Sequence, residues 1–499
     1  MVRQLPSRIL LCLLLAIAAF GAISCAVPLG PGYTIERQEI RVQFVASPQP
    51  RIRIEADYQL RNTGNQPLTE IELRLPGKRR FHRAEPRAKW DSSSVALSDS
   101  PANSRNDLVK LPQSWPISVR HTLHLSVEFE PARTEEAELS FTHDAFFLPA
   151  QGWSPDLLPA RGAIATGGVP PKKWNLVVEV PEDFLVHLSG SDLKQKRGKG
   201  GLVVRAEQHV ADKYPFVVAG RYTATQIASG NEAVHLWTRA ALEQNSLRQA
   251  SDELVKTLQA YDSVFGNRDK KQRPLWIVEC PVVAGCFTRS PAANASVSEV
   301  SAVTQDVEPT SAEMISLDSV VVDISGGAPK IATAAAPSLA ASWLGYGQNP
   351  GFYEQEPPLS ALPAFAAASG REALDGPASR TAAIRHALRV IPVNPPARRV
   401  PEGRNVMRAK SFLFFYALQD RYGRPAFRNA LQHMFYARQG GGFNLNDLIA
   451  AFGEETHQNV AEFVRLWMKH PGVPQEFRAR YEKDDPRAPP TTLSKETTP

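Results

Sequence analysis

The repeat period of the apolar residues changes once along this chain, near Tyr222, and this change limits the folds open to it. Between about Tyr33 and Tyr222, apolar and polar residues alternate in short runs such as IRVQFV and LTEIELRLP, separated by Gly, Pro, Asn and Asp. Such alternation places apolar side chains on one face of a strand. We therefore expect this half to be an antiparallel β-sandwich or saddle.

Beyond Tyr222 the apolar residues recur at helical spacing. Leu247, Leu254 and Leu258 lie on one face of a helix that is predicted to end near Gly266. The strand-like run RPLWIVECP follows it. The predicted fold class is therefore α+β and multidomain, with an antiparallel β domain before a mostly α-helical domain.

Four more helices are predicted from Val406 onward. They lie in the stretches MRAKSFLFFYALQDRYG, AFRNALQHMFYARQGG, NLNDLIAAFGEE and NVAEFVRLWMKH, each with an apolar face. Asn444 and Asn446 are the candidate N-caps of the third helix, because Asn side chains accept hydrogen bonds from the first backbone N–H groups.

The first 25 residues have the layout of an export signal. Arg3 and Arg8 flank the start of an uncharged apolar run from Ile9 to Ile23, which is shorter than the roughly 18 residues that span a bilayer. The run ends in AISC, similar to a bacterial lipobox, which predicts cleavage and a lipid on Cys25. Cleavage nearby without lipid and an uncleaved anchor are the alternatives. We expect an exported protein, either membrane-anchored or free outside the cytoplasm.

Cys280 and Cys286 are the two cysteines outside this segment. In an oxidising compartment they are predicted to form a disulfide that closes a small loop, with two buried thiols as the alternative. No further Cys or nearby His completes a metal-ligand set, so no metal site is predicted there.

The length of 499 residues favours two domains in the mature chain. The predicted divisions are a signal peptide over 1–25, an all-β domain over 26–225, a thermolysin-like domain over 226–478 and a disordered tail over 479–499. The net charge of +6 is mild, and its two basic clusters, 77–89 and 194–201, are predicted to be solvated turns between strands. An export signal argues against a nucleic-acid partner.

Several stretches, in this order, resemble the M1 family of zinc aminopeptidases. FFLPAQGWSPDLLP, WNLVVEVPEDFLVHLSG and PFVVAGRY are similar to the last strands of that family's β domain. AYDSVFG with RPLWIVECP, and the segment from AKSFLFFYALQDRYG to HPGVP, are similar to parts of its thermolysin-like domain. The resemblance implies a β domain followed by a thermolysin-like domain with a cleft between them.

The resemblance also implies that PSLAASWLGYG is the helix that binds zinc, but the residues that would bind zinc and activate water are missing from it. Zinc peptidases of this type need two His at i and i+4 with a Glu beside the first. In this alignment Ser338 and Ser342 stand at the His positions and Leu339 at the Glu position. Serine hydroxyls are poor zinc ligands and leucine cannot act as a base, so we predict that zinc is absent.

The other roles that the resemblance implies are vacant too. Pro363 or a neighbour replaces the third ligand, and Arg408 and Ala409 stand where a tyrosine would stabilise the oxyanion. The loop that would hold the substrate amine falls between about 287 and 300, where Glu299 is a poorly placed substitute. No catalytic residue is predicted.

Two other chemistries have little support in the sequence. His121 and His124 lie on a predicted strand, where side chains three residues apart point to opposite faces, so they are not expected to share a metal. A serine nucleophile at Ser338 or Ser342 would need a base, and His386 and His433 have no local motif that supports this role.

A vacant cleft can still hold an extended peptide by strand addition. Trp343, Tyr346 and Tyr353 are predicted to line it, with core packing as the alternative. The expected function is a non-catalytic binding or scaffolding protein of the cell envelope, with a peptide or envelope protein as partner. The alternatives are a hydrolase with an unmapped site and a structural lipoprotein subunit.

Overall fold

The computed structural model describes most of the chain between residues 31 and 483. The ranges that it does not describe are 1–30, 47, 76–85, 102, 104–105, 131–139, 150–151, 162–167, 199, 209–214, 230–231, 267–273, 282–311, 317–318, 325–330, 344–357, 394–403, 438–443 and 484–499.

The first half forms three sheets. In chain order its strands are β1 Tyr33–Val45, β2 Arg51–Asn62, β3 Leu68–Arg74, β4 Arg87–Trp90, β5 Ser93–Val95, β6 Leu97–Asp99, β7 Asp107–Trp115, β8 Arg120–Phe129, β9 Ser140–Phe141, β10 Ala145–Leu148, β11 Asp156–Leu157, β12 Trp174–Val180, β13 Leu185–Leu188, β14 Ser191–Gly198, β15 Gly201–Glu207 and β16 Val217–Gly220. The large sheet has the order β14-β15-β12-β1-β2-β8-β4-β5. The smaller sheets are β13-β16-β10-β9 and β11-β3-β7-β6.

Strand β2 shows why these sequences form strands. Its Ile52, Ile54 and Tyr58 are essentially fully buried, whereas Arg53 on the opposite face pairs with Glu128 at the surface. Period-two burial of this kind was predicted from the sequence. Among the described strands of this half, the pairing is antiparallel except between β1 and β12, which run parallel. The long stretch of chain between these two strands provides the crossover that parallel pairing requires.

A five-stranded mixed sheet opens the second half. Its strands are β17 Thr223–Ser229, β18 Glu232–Thr238, β19 Leu275–Glu279, β20 Ala312–Ser316 and β21 Ser319–Val322, in the order β17-β18-β19-β21-β20. The sequence pattern predicts a helix soon after Tyr222 but does not predict β17 and β18. These two strands pair as an antiparallel hairpin before the helix begins.

Helices form the rest of the second half. They are α1 Gln244–Phe265, α2 Ile331–Trp343, α3 Leu362–Asp375, α4 Pro377–Val390, α5 Arg404–Tyr422, α6 Arg424–Ala437, α7 Leu445–Thr456, α8 Val460–Lys469 and α9 Gln475–Glu482. The end of α1 at Gly266 and the four C-terminal helices from α5 to α8 are confirmed, and α9 follows them. Among the described helices, none is both long enough and apolar enough to cross a bilayer. The α+β fold class is confirmed.

The two halves meet through a small apolar cluster and a buried hydrogen bond between His187 and Ser319. Phe147 and Phe216 of the first half pack with Val278 and Val321 of the second. The junction lies near the Val45 end of β1. Phe147 belongs to strand β10, which pairs with β9 and directly follows His143. The Nδ1 of His143 bonds the carbonyl oxygen of Ala46, the residue after Val45, at 2.9 Å.

Candidate functional site: the zinc-motif helix and its surroundings

Helix α2 carries all three zinc-motif positions. It packs against β20 and β21 on one side and against α1 and α3 on the other. Of the three side chains, the structure describes that of Leu339, which is fully buried in the main core of the second half. The position at which the resemblance puts the general base is therefore occupied by a core leucine.

Neighbouring side chains hold α2 in place from α1. The hydroxyl of Tyr261 donates to the carbonyl oxygen of Ala336 at 2.5 Å, and burial raises the pKa of this tyrosine well above its usual value. The indole Nε1 of Trp343 donates to Asp262 at 3.1 Å. A Cβ on Gly370 would come within 2.8 Å of the Tyr261 oxygen, so α3 approaches this hydroxyl closely only because it has glycine there.

The residues of α2 do not fit a zinc ion in any alignment. The thirteen residues from Ile331 to Trp343 include no His, Cys, Asp or Glu, so shifting the motif along the helix supplies neither a ligand nor a base. Across the part of the chain that the structure describes, no three side chains of these types come together as a ligand group.

The other mapped catalytic positions have structural roles in the described part. Pro363 lies in the first turn of α3, where a missing backbone N–H costs no helical hydrogen bond. Ala409 is fully buried. Lys410, which marks the mapped position of the oxyanion tyrosine, is buried, and its Nζ donates to the carbonyl oxygens of Met468 and His470 at 3.1 and 2.5 Å. It thereby satisfies carbonyl groups at the end of α8.

The predicted aromatic lining is described at one of its three positions. Trp343 is 7% exposed and packs edge-on against Tyr261, an environment that matches the core-packing alternative for this residue. Tyr346, Tyr353 and Glu299 lie outside the described residues, and their roles stay predictions.

The histidines are placed apart from α2. His121 bonds Asp91 and His124 bonds Asp57, and the two rings lie on opposite faces of β8, as predicted. His433 is exposed on α6 and pairs with Glu454 of α7 at 3.1 Å.

The structure does form one buried serine–histidine pair, which the sequence analysis missed. His187 Nε2 and Ser319 Oγ are 2.7 Å apart across the junction of the two halves, and Ser319 is 1% exposed. The His187 ring stacks on Trp276 with 4.2 Å between ring centroids. A nucleophile needs access to its substrate, so this burial indicates a structural contact. No local motif in the sequence pairs residues 132 positions apart.

One hollow of about 230 Å³ lies at the C-terminal end of α3, away from α2. Its polar lining includes Glu372 and Arg424, which form an ion pair, and Ser369, whose hydroxyl donates to Phe365. Glu372 and Arg424 bond each other, and Ser369 bonds the backbone of its own helix, so each of these polar groups already has a partner.

Cys280 is buried. Cys286 lies outside the described residues, so the disulfide between the two stays a prediction. The basic cluster at 194–201 lies mostly on the exposed strand β14, so the prediction of a turn is right only for its end, where Gly198 pairs with Gly201. Most of the 77–89 cluster is not described.

No protein-family model matches the sequence, and no curated protein matches it. Solved structures do match. An M1 zinc metallopeptidase from Deinococcus radiodurans has a TM-score of 0.54 at 14% identity, covering 90% of this chain and 96% of that one. A variant of an M1 zinc metallopeptidase from the same organism, bound to a Tyr-Ser-Ala substrate, has a TM-score of 0.51 at 15% identity, covering 89% and 95%.

Aminopeptidase A of Legionella pneumophila, in complex with aspartic acid, has a TM-score of 0.55 at 13% identity, covering 88% of this chain and 50% of that one. The present chain thus spans about half the length of that enzyme. Likeness at such identities concerns the fold. The resemblance found in the sequence is confirmed at this level, and the chain has the fold of the M1 zinc metallopeptidases.

Proposed function

We propose that this protein is an exported, lipid-anchored protein of the cell envelope that binds an extended peptide or a protein segment and does not hydrolyse it with zinc. The observation that carries the proposal is the composition of α2. The helix at the zinc-motif positions has no side chain that can bind a metal or take a proton from water.

Packing around α2 supports the loss of catalysis. Leu339 is fully buried, and its helix neighbours Ala335, Ala336 and Ala340 are buried as well. A carboxylate at position 339 would have to lose its hydration among apolar side chains, which is costly unless it is paired. This part of the helix stabilises the core and is not prepared to hold a charge.

The sheet beside α2 supports peptide binding. Strand β20 is the last strand of its sheet and pairs with β21 on one side. An edge strand next to a helix can accept an extended peptide through main-chain hydrogen bonds. The Deinococcus metallopeptidase variant bound to a Tyr-Ser-Ala substrate has the same fold, so we transfer the ligand class, a short peptide, to this chain.

A matched pair of peptides tests strand addition. We would screen unblocked tripeptides to decapeptides by calorimetry, then compare the best binder with the same sequence N-methylated at alternate residues. Because strand addition needs backbone N–H groups, the methylated peptide is expected to bind at least about tenfold more weakly. Equal affinities for the two peptides would contradict this binding mode.

The same preparations separate the alternatives. Turnover of any tested peptide would favour a hydrolase with an unmapped site. Absence of peptide binding, with stable co-purification of an envelope protein, would favour a structural subunit. The intact mass of the mature protein reports whether Cys25 carries lipid, and the Cys25→Ala variant is expected to lose that mass and to leave the membrane fraction.

A further inference from the structure

The end of the large sheet at which the described chain begins carries a short exposed turn. We call residues 116–119, between β7 and β8, the entry turn. The entry turn lies beside the first described residues, because Thr63 donates its backbone N–H to the carbonyl oxygen of Gly32 at 3.2 Å, and the adjacent Asn62 bonds the entry turn directly.

The entry turn is apolar and exposed. Ile117 is 46% exposed and Val119 is 38% exposed. They are two of the six large apolar residues with this degree of exposure among those described, and they lie two positions apart on one turn. Single exposed apolar residues are ordinary on a surface, whereas neighbours on a projecting turn favour contact with another apolar phase.

The entry turn is also held rigidly. The buried Asn62 donates from its side chain to the carbonyl oxygen of Trp115 at 2.9 Å, and its backbone carbonyl accepts from Ser118 at 2.8 Å. The indole of Trp115 donates to the carbonyl oxygen of Val119 at 2.9 Å. Because these bonds fix the backbone on both sides of Ile117, exposing this side chain does not depend on a flexible loop.

Basic side chains lie at the same end of the large sheet as the entry turn. Arg61 lies opposite Arg120 across β2 and β8, and Lys172 and Lys173 are exposed beside the start of β1, where Lys172 bonds Ile35. Arg120 is partly neutralised by Glu36 at 2.8 Å. The excess of positive charge complements a surface of anionic headgroups.

The predicted tether leaves the protein at this same end. Residues 26–30 separate Cys25 from Pro31, a distance of at most about 20 Å when fully extended. Strand β1 then runs away from this end for thirteen residues, which places Val45 about 40 Å from Tyr33. The junction with the second half lies near Val45, so the second half is at the opposite end of β1 from the predicted tether.

We propose that the entry turn docks into an anionic bilayer surface, with Ile117 and Val119 entering the headgroup region and Arg61, Lys172 and Lys173 contacting the headgroups. This inference rests on the membrane tether of the proposed function. A lipid anchor attaches a protein to the bilayer without fixing its orientation, and an apolar tip with basic side chains at the same end supplies a second contact that orients it. The second half, which contains α2, would then be held away from the membrane.

Depth-dependent quenching in the full-length, reconstituted protein tests the docking. Ile117→Cys would carry a polarity-sensitive fluorophore, and Val45→Cys, 36% exposed at the opposite end of β1, would be the matched control. The parent protein after the same labelling gives the background from native thiols. Vesicles would contain phosphatidylcholine with or without phosphatidylglycerol, together with lipids brominated near the headgroup.

The label at position 117 is expected to shift to the blue and lose most of its fluorescence to brominated lipid, more strongly with phosphatidylglycerol, while the label at position 45 keeps its emission. Lys172→Glu with Lys173→Glu is expected to weaken the quenching. Protein that floats with vesicles without quenching at position 117 would overturn the docking and leave the tether intact. Protein that does not float would overturn both. A blue shift without quenching would show that a second copy of this chain covers the turn, and would overturn the membrane assignment.

Discussion

At the scale of single residues, Trp343 decides whether this part of α2 belongs to the core or to a binding cleft. Trp343→Phe should lower the free energy of unfolding by about 1–2 kcal/mol, because the bond to Asp262 and part of the ring packing are lost. Urea denaturation measures this change. Peptide affinity should be unchanged, and a loss of affinity in a variant of unaltered stability would assign Trp343 to the cleft.

A second residue gives the protein a pH-dependent stability. Burial raises the pKa of Asp156 from 3.8 to about 6, with the nearby charge of Arg74 opposing the shift. Since the folded state favours the protonated carboxyl, its stabilising effect is complete below about pH 4 and is lost as the pH rises through 6. Asp156→Asn should remove this decline, by at most about 2 kcal/mol, in unfolding curves measured from pH 4 to 7.

Exposed Asp192 offers the control for this measurement. Asp192→Asn should leave the pH dependence as it is in the parent protein. If both variants keep the parent's decline between pH 4 and 6, Asp156 is not its source.

At the scale of elements, the start of α7 distinguishes two asparagines that the sequence could not. Asn444 is the N-cap: its side chain accepts from the backbone of Asn446 and Asp447, and Asp447 bonds back to the N–H of Asn444. Asn444→Ala should cost about 1–2 kcal/mol of unfolding free energy, whereas Asn446→Ala should change it little. Equal effects in thermal or urea unfolding would contradict this assignment.

The elements also show what the sequence can predict. Strands such as β2 and helices such as α8 were predicted because one face is regularly apolar. Strands β17, β18, β20 and β21 and helices α4 and α9 were missed. Helix α9 spans eight residues, and its buried side chains are Phe477 and Arg478. This segment is too short to show a helical repeat of apolar residues. The absence of His, Cys, Asp and Glu from α2 is visible in the sequence itself, because the residue types of a segment are known without knowing its fold.

At the scale of the whole molecule, the contacts between distant segments could not be predicted. His187 meets Ser319 only when two sheets come together, and the entry turn meets the start of β1 only through the register of β1, β2 and β8. These contacts set the order of the parts along one axis: the Tyr33 end of the large sheet, its Val45 end, the junction, and the half that contains α2. This order follows from tertiary pairing and not from any local pattern.

The central claim is that an M1 fold persists here without zinc chemistry. The most direct test is the metal content of the purified mature protein, measured by mass spectrometry after growth with added zinc, beside turnover of unblocked peptides. We predict no stoichiometric zinc and no turnover. Stoichiometric zinc, with turnover abolished by a chelator and restored by the metal, would contradict the claim.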